Sequence, residues 1–331
     1  MAQAYRIFGS ELSPYSVKVR SYFRYKGIPH EWIPRNMGNM EEFKQHAKLP
    51  LIPLVLTPDG DALQDSTPII EKLEARHPEP RLDPEDATLA FLSALLEEYG
   101  DEWGNKPMFH YRWCREVDEI ATAERIAAEN LPGASAEDRA GVVAMIRKRM
   151  PGRLSFVGSS PETAETIESS YLRLLDFLEK HLTSRPFLLG ARPALADFGL
   201  FAQLYECSTD PTAGGLLRER APRTGGWIQR MLEPKAEGGF ETWESLAPTL
   251  GPLLRSEVGE VFLPWSAANA RALGAGEPTL SVELKGETFR QEVQKYHAKS
   301  LAAIRARYAA LPDRAGLDPI LRDAGCLEWL A

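Results

Sequence analysis

The 331-residue chain is 44% hydrophobic and 26% charged, an ordinary composition for a folded protein, and its length allows about two domains. A formal net charge of −8 argues against nucleic acid as a partner, because binding a phosphate backbone needs a basic face; Arg147-Lys148-Arg149 reads as a solvated helix end. Three cysteines, Cys114, Cys207 and Cys326, odd in number and far apart, fit a reducing compartment rather than a disulfide framework, and no spacing suggests a metal site.

Met1-Ala2-Gln3-Ala4 leads into a strand at Tyr5–Phe8 without a basic-then-apolar signal region, and no apolar run reaches about 18 residues. The expected location is the cytoplasm, with no membrane partner. The strand runs into a short polar loop, and Pro14 stands where a helix can begin, with Ser13 as N-cap. Main-chain N–H groups and the positive end of the helix dipole converge at such a point, so an anion or thiolate is stabilised beside Ser13.

Ser13-Pro14-Tyr15-Ser16 resembles the Cys-Pro-Tyr-Cys of a glutaredoxin with both cysteines replaced by serine, and Lys18-Val19-Arg20 follows as it often does in glutathione transferases. The chain thus resembles a bacterial-like, serine-type cytosolic glutathione transferase, well over its first eighty residues, moderately through the middle and hardly at all over the last eighty. The resemblance implies an α/β thioredoxin-like glutathione-binding domain (1–80) and an all-α transferase domain (84–250), followed here by a C-terminal extension (251–331) expected to pack on the helices. It further implies glutathione as co-substrate, no metal, a homodimer, and conjugation of the glutathione thiolate to a hydrophobic electrophilic small molecule in detoxification. Peroxide reduction, isomerisation and ether cleavage use the same thiolate. Since fold does not fix function, a non-catalytic interaction module is the alternative of a different kind.

The first helix carries Tyr15, Val19, Tyr22 and Phe23 at helical spacing and stops near Lys26-Gly27; Glu31-Trp32-Ile33 returns as a second strand, and a short helix spans Glu41–Ala47. Leu51–Leu56 and Ala62–Gln64 form a hairpin about the Pro58-Asp59-Gly60-Asp61 turn. Proline removes a ladder donor, so Pro53 either opens an edge strand in trans or, as the family resemblance implies, forms a cis Ile52–Pro53 bond facing the reactive loop; the flanking motifs favour cis. Ile52 would then pair with the cysteinyl main chain of glutathione. Asp65-Ser66 resembles the acid-serine pair that holds the γ-glutamyl group, with Ser66 and the helix N–H groups on the α-carboxylate and Asp65 on the α-ammonium. A plain N-cap before Ile69, Ile70 and Leu73 is the other reading. Lys44, His46 and Lys48 precede the Ile52–Pro53 turn where the fold brings a basic residue to the glycine carboxylate, Lys48 being preferred.

Arg76–Pro84, with three prolines, is the linker. From Glu85 to about Leu250 the pattern is helical, including a helix opened by Ser160-Pro161 and a buried helix whose capping box has Ala194 in place of Ser or Thr, so that Asp197 caps unreciprocated. Trp103–Cys114 interleaves aromatic and basic residues; by resemblance Trp103, Phe109, His110, Tyr111 and Trp113 line the co-substrate side, core packing being the alternative. Beyond Pro252 come a helix at Ala267–Leu273, a Leu280–Phe289 hairpin turning at Lys285-Gly286, a helix over Gln291–Ala310 and a short apolar tail to Trp329.

A free thiol with pKa near 8.5 must drop by about two units, roughly 2.7 kcal/mol, to be mostly ionised at neutral pH. A hydroxyl donating to a charged acceptor supplies about 1.5–3 kcal/mol and a helix N-terminus about 0.3–1 kcal/mol, which together suffice. That makes Ser13 the first candidate donor and Ser10 the second, with Ser16 also nearby and with helix capping as the competing use of Ser13. Without sulfur at positions 13 and 16, neither residue can run thiol–disulfide exchange.

Overall fold

A computed structural model describes residues 4–331. The chain opens with β1 (Tyr5–Gly9), α1 (Pro14–Tyr25) and β2 (His30–Pro34), and a single 3₁₀ turn leads into α2 (Met40–His46). β3 (Leu54–Leu56), β4 (Ala62–Gln64) and α3 (Ser66–Arg76) follow. The sheet order is β2-β1-β3-β4, with β1 parallel to β2 and antiparallel to β3, so that Ile7 lies opposite both Trp32 and Val55. This is the thioredoxin-like arrangement. α1 ends as its sequence dictates, with Lys26 closing the last turn and Gly27 at φ +61°.

β3 is shorter than expected and starts only after Pro53, which has no N–H to give the ladder. The residues before it are held by a side chain instead. Gln64 Oε1 accepts from Lys48 N at 2.9 Å and Leu49 N at 3.0 Å, and its Nε2 donates to the carbonyls of Leu49 and Leu51, both at 2.8 Å. The Ile52–Pro53 bond is cis, and so is Glu79–Pro80 in the linker.

The helical part comprises α4 (Ala87–Glu102), α5 (Asn105–Cys114), α6 (Glu116–Asn130), α7 (Ala136–Arg149), α8 (Ala164–His181), α9 (Leu195–Thr209), α10 (Pro211–Arg220) and α11 (Pro222–Leu232). α8 begins three residues later than expected, because Ser160 and Thr163 close a turn on each other, Ser160 N donating to Thr163 Oγ1 at 2.9 Å. At the centre α4 and α9 cross at Gly100 and Gly199. A Cβ on Gly199 would stand 2.8 Å from the Glu97 carbonyl oxygen, and one on Gly100 2.8 Å from Gly199 C. Only glycine permits this approach. Asp197 caps α9 without a partner hydroxyl, as expected from Ala194, yet its carboxylate is fully used: it accepts from the N–H groups of Ala194 and Leu188 and from Trp227 Nε1, each at 2.9 Å.

The expected division at residues 250 and 251 falls inside a continuous helical stretch. α12 (Trp243–Leu253) passes through a π segment, Leu254–Phe262, into α13 (Leu263–Gly274). Prolines at 248 and 252 lie inside it without stopping it. β5 (Thr279–Leu284) and β6 (Glu287–Glu292) form the expected hairpin, with Lys285 at φ +53° and Gly286 at φ +88° in its turn. β6 continues to Glu292, so the next helix, α14 (Lys295–Ala309), starts four residues later than expected; α15 (Leu317–Asp323) and α16 (Leu327–Leu330) close the chain. The hairpin is pinned to α5 through Lys106, whose Nζ donates to Gln291 Oε1 at 2.6 Å and lies 3.9 Å from the Trp265 ring centroid. Among the described residues no helix is long and apolar enough to cross a membrane.

His181 joins α8 to α9's approach and α12. Its Nε2 donates to the Leu188 carbonyl at 2.8 Å and its Nδ1 accepts from the Thr249 hydroxyl at 2.8 Å, the pattern of a neutral ring. Burial pushes its pKa down to about 4. A depressed folded pKa means that this stability is present above the ordinary value near 6.5 and is lost as pH falls toward 4. Urea melts should therefore show His181→Gln losing less stability than the unmodified chain between about pH 7 and 4, by up to about 3 kcal/mol; parallel pH profiles would refute the assignment.

Candidate active site

The end of β1, the loop 10–13 and the start of α1 place three serines within one turn. Ser13 has extended backbone, and its Oγ accepts from Ser16 N at 3.3 Å; among the described residues this is the hydroxyl's one hydrogen bond, and in it the oxygen only accepts. Its proton remains available, so capping the helix and donating to a ligand are compatible. Ser10 is committed differently. Its Oγ accepts from Leu12 N at 3.1 Å, while the neighbouring Glu11 N donates to the Glu129 carboxylate at 3.0 Å. Ser16 is fully buried, with its Oγ unpaired.

Residues from three later helices hold this loop. Arg112 on α5 donates from Nη1 to the Leu12 carbonyl at 3.2 Å, and is itself fixed by Glu206 and Asp210, each at 2.7 Å. Glu129 on α6 supports Glu11, and Tyr15 donates to the Asp101 carbonyl at 3.0 Å. Neither Arg112 nor Glu129 carries a local sequence signal, because both act across about 100 residues of chain.

On the other side of the loop, Lys18 is wholly buried against α4. Its Nζ donates to Glu97, to Asp101 Oδ2 at 2.6 Å and to Thr67 Oγ1 at 3.1 Å. Four acidic residues, Glu97, Glu98, Asp101 and Glu102, crowd this end of α4. Burial pushes Asp101 up to about 7 and Glu98 well above the carboxylate range. Thr67 ties this cluster to the N-terminus of α3, where Ser66 is the first helical residue and is buried.

Asp65, just before it, has φ +76°, uncommon for a residue with a side chain, and its carboxylate makes no cap bond to α3. Instead it accepts from the Tyr296 hydroxyl of α14, 3.2 Å from each oxygen. Ile52 is half-buried beside the buried Pro53, and Lys48 is exposed. Lys44 pairs with Glu41 at 2.8 Å. The structure thus brings Ser13, Asp65 and Ser66 to helix N-termini, leaves Ser10 in the loop before α1, and gathers Lys48 and Ile52 on the loop that Gln64 organises. Gln64 itself was not singled out in the sequence, although it immediately precedes Asp65-Ser66.

The aromatic segment is largely enclosed. Trp103 is wholly buried, its Nε1 donating to Ser170 Oγ at 2.8 Å and its ring 5.6 Å from that of Trp265. Tyr111 packs on Tyr171 at 5.3 Å, and Trp113 is buried in a small cluster with Ala123, Ala127 and Ile146. His110 is buried between Ser159 and Glu168, at 2.8 and 3.0 Å. None of these four presents a face to an open pocket, because each ring is enclosed by core neighbours. Phe109 is half-buried, tilted against Trp113.

Comparison with known proteins assigns residues 7–81 to the glutathione S-transferase N-terminal domain family and residues 161–230 to the glutathione S-transferase C-terminal domain family. An isoprene-epoxide–glutathione S-transferase of Rhodococcus sp. strain AD45 is 26% identical over 207 residues, covering 61% of this chain and 82% of that protein. The Drosophila melanogaster protein Failed axon connections is 23% identical over 256 residues, or 72% of this chain; the match spans only 57% of that relative. Among solved structures, a glutathione S-transferase of Methylobacterium radiotolerans in complex with glutathione sulfonate aligns at 21% identity over 75% of this chain and 94% of its own, with a TM-score of 0.40. The β-etherase LigF of Sphingobium sp. strain SYK-6 aligns at 21% over 69% and 95%, with a TM-score of 0.46. The four-stranded sheet with its helices lies in the segment that matches the family's N-terminal domain and α8–α11 in the segment that matches its C-terminal domain, so these two stretches carry the two domains of the glutathione S-transferase family.

Proposed function

We propose that this protein conjugates the thiolate of glutathione to a hydrophobic electrophilic small molecule, as a cytoplasmic homodimer serving detoxification. The observation that carries the reading is the uncommitted hydroxyl proton of Ser13 at the N-terminus of α1. Ser13 donates to the sulfur and, with the helix N-terminus, favours its ionised form. Ser10 is the weaker candidate because it lies just after β1, three residues ahead of the N-cap of α1. Ser66 and the first N–H groups of α3 take the γ-glutamyl carboxylate, Asp65 takes the ammonium, Ile52 beside Pro53 pairs with the cysteinyl backbone, and Lys48 faces the glycine carboxylate.

The name of the Rhodococcus relative makes an epoxide the first electrophile to assay. In that reaction the sulfur–carbon bond forms as the ring carbon–oxygen bond breaks, and the released alkoxide takes a proton from water. Phe109 is the one residue of the aromatic segment kept for the co-substrate side.

The test is a pH titration of bound glutathione followed by ultraviolet thiolate absorbance. A bound-thiol pKa about two units below the free value near 8.5 is expected. Glutathione that binds with an unshifted thiol, or does not bind, would remove the transferase reading.

A further inference from the structure

We propose that Tyr296, supplied by the C-terminal extension, is a positioning residue of the γ-glutamyl subsite: it holds the Asp65 carboxylate ready for the α-ammonium of glutathione. This deepens the glutathione reading and rests on it.

Tyr296 is placed firmly. Two residues before it, Gln294 is bonded twice to Asn269 of α13, its N–H donating to Oδ1 at 2.8 Å and its carbonyl accepting from Nδ2 at 2.9 Å. Immediately after it, His297 pairs with Glu102 of α4. Further along α14, Arg307 pairs with Glu71 of α3. The extension thereby bridges the α3 N-terminus and the acidic end of α4, and the one side chain it aims at the family's acid-serine pair is Tyr296.

The bond it makes is out of keeping with a purely structural latch. Tyr296 is 55% exposed and Asp65 is also exposed, and a hydrogen bond between two exposed groups adds little to folding. Asp65 makes no cap bond to its own helix. A carboxylate offers about four acceptor sites, and one phenol O–H shared between the two oxygens leaves room for an ammonium on the open side.

The surroundings favour a cation there. The groups facing Asp65 and Tyr296 are Lys18 and Tyr15 from α1, Glu97, Asp101 and Glu102 from α4, and His297 from α14. Acidic groups outnumber basic ones, and among the described residues the buried Asp101 Oδ1 and Glu98 Oε1 have no hydrogen-bond partner. Burial raises the Asp65 carboxyl pKa, and the Tyr296 hydroxyl lowers it again by bonding to the charged form. Tyr296 therefore keeps Asp65 ionised to lower pH, and loss of the hydroxyl moves protonation of Asp65 to higher pH.

The experiment is calorimetric titration of the full chain with glutathione and with cysteinylglycine, which lacks the γ-glutamyl residue, across the acid range. Tyr296→Phe should weaken glutathione about fivefold at neutral pH and move the acid limb of its affinity to higher pH, leaving cysteinylglycine binding unchanged. Unchanged glutathione affinity with an unmoved limb would overturn the proposal, as would tighter binding, which marks Tyr296 as a competitor of the ammonium. Asp65→Asn separates the two levels: if the unmodified chain binds glutathione and Asp65→Asn weakens it while Tyr296→Phe does not, only Tyr296 is misassigned. If Asp65→Asn binds like the unmodified chain, or neither binds, the glutathione reading of this subsite falls and the role of Tyr296 falls with it.

Discussion

Lys18→Met should lower the stability of the protein by about 3–5 kcal/mol, because it leaves Glu97 and Asp101 buried without their shared cation. The loss is large since the methionine occupies the space but returns none of the charge, and Glu98 and Glu102 stand in the same cluster. Its pH dependence follows from the sign of the shift. Asp101 is pushed up to about 7, so its contribution is fully present below its ordinary value and lost as pH rises through about 7. Without Lys18 the carboxylates repel more strongly once ionised, and the deficit should be greater at about pH 8 than at about pH 5. Urea denaturation at the two pH values measures both effects. A deficit below about 1 kcal/mol would show that the network contributes no more than a surface pair. Glutathione affinity should fall as well, because Lys18 joins α1, α4 and, through Thr67, the N-terminus of α3.

Ser13→Ala should reduce turnover at saturating glutathione by roughly 10- to 100-fold at neutral pH, the loss of one donor to a charged acceptor. The bound thiol pKa should rise by about 1–2 units over the same comparison. The lost cap adds about 1 kcal/mol of destabilisation, which a melt reads separately. Ser13→Thr, which keeps both the hydroxyl and the cap, should recover most of the activity. Ser10→Ala should change turnover far less and instead loosen Leu12. Turnover of Ser13→Ala within about twofold of the unmodified chain would remove Ser13 from the thiol, since a charged hydrogen bond is worth more than that.

The local features were legible in the sequence because they follow from spacing and backbone chemistry within a few residues. Ser13-Pro14 announces a capped helix start, Lys26-Gly27 its end, and Lys285-Gly286 a two-residue hairpin turn, and the structure contains all three. Where boundaries moved, a tertiary partner decided. β3 begins late because Gln64 satisfies the preceding carbonyls, and α14 begins late because Gln291 stays in β6 to meet Lys106.

The aromatic density of Trp103–Cys114 marks the limit of pattern reading. Period and composition identify a helix rich in rings but do not say which face meets core and which meets solvent, and here Ser170, Trp265, Tyr171 and Ile146 enclose them. The sequence by itself determined the two-part architecture and the helix-terminal serines, since hydrophobic period, caps and turn residues act locally. Only the tertiary structure decided that Glu129 reaches back to Glu11, that Lys18 is buried among carboxylates and that the extension delivers Tyr296 to Asp65. Those outcomes depend on contacts across about 80 to 230 residues of chain, which no local pattern encodes.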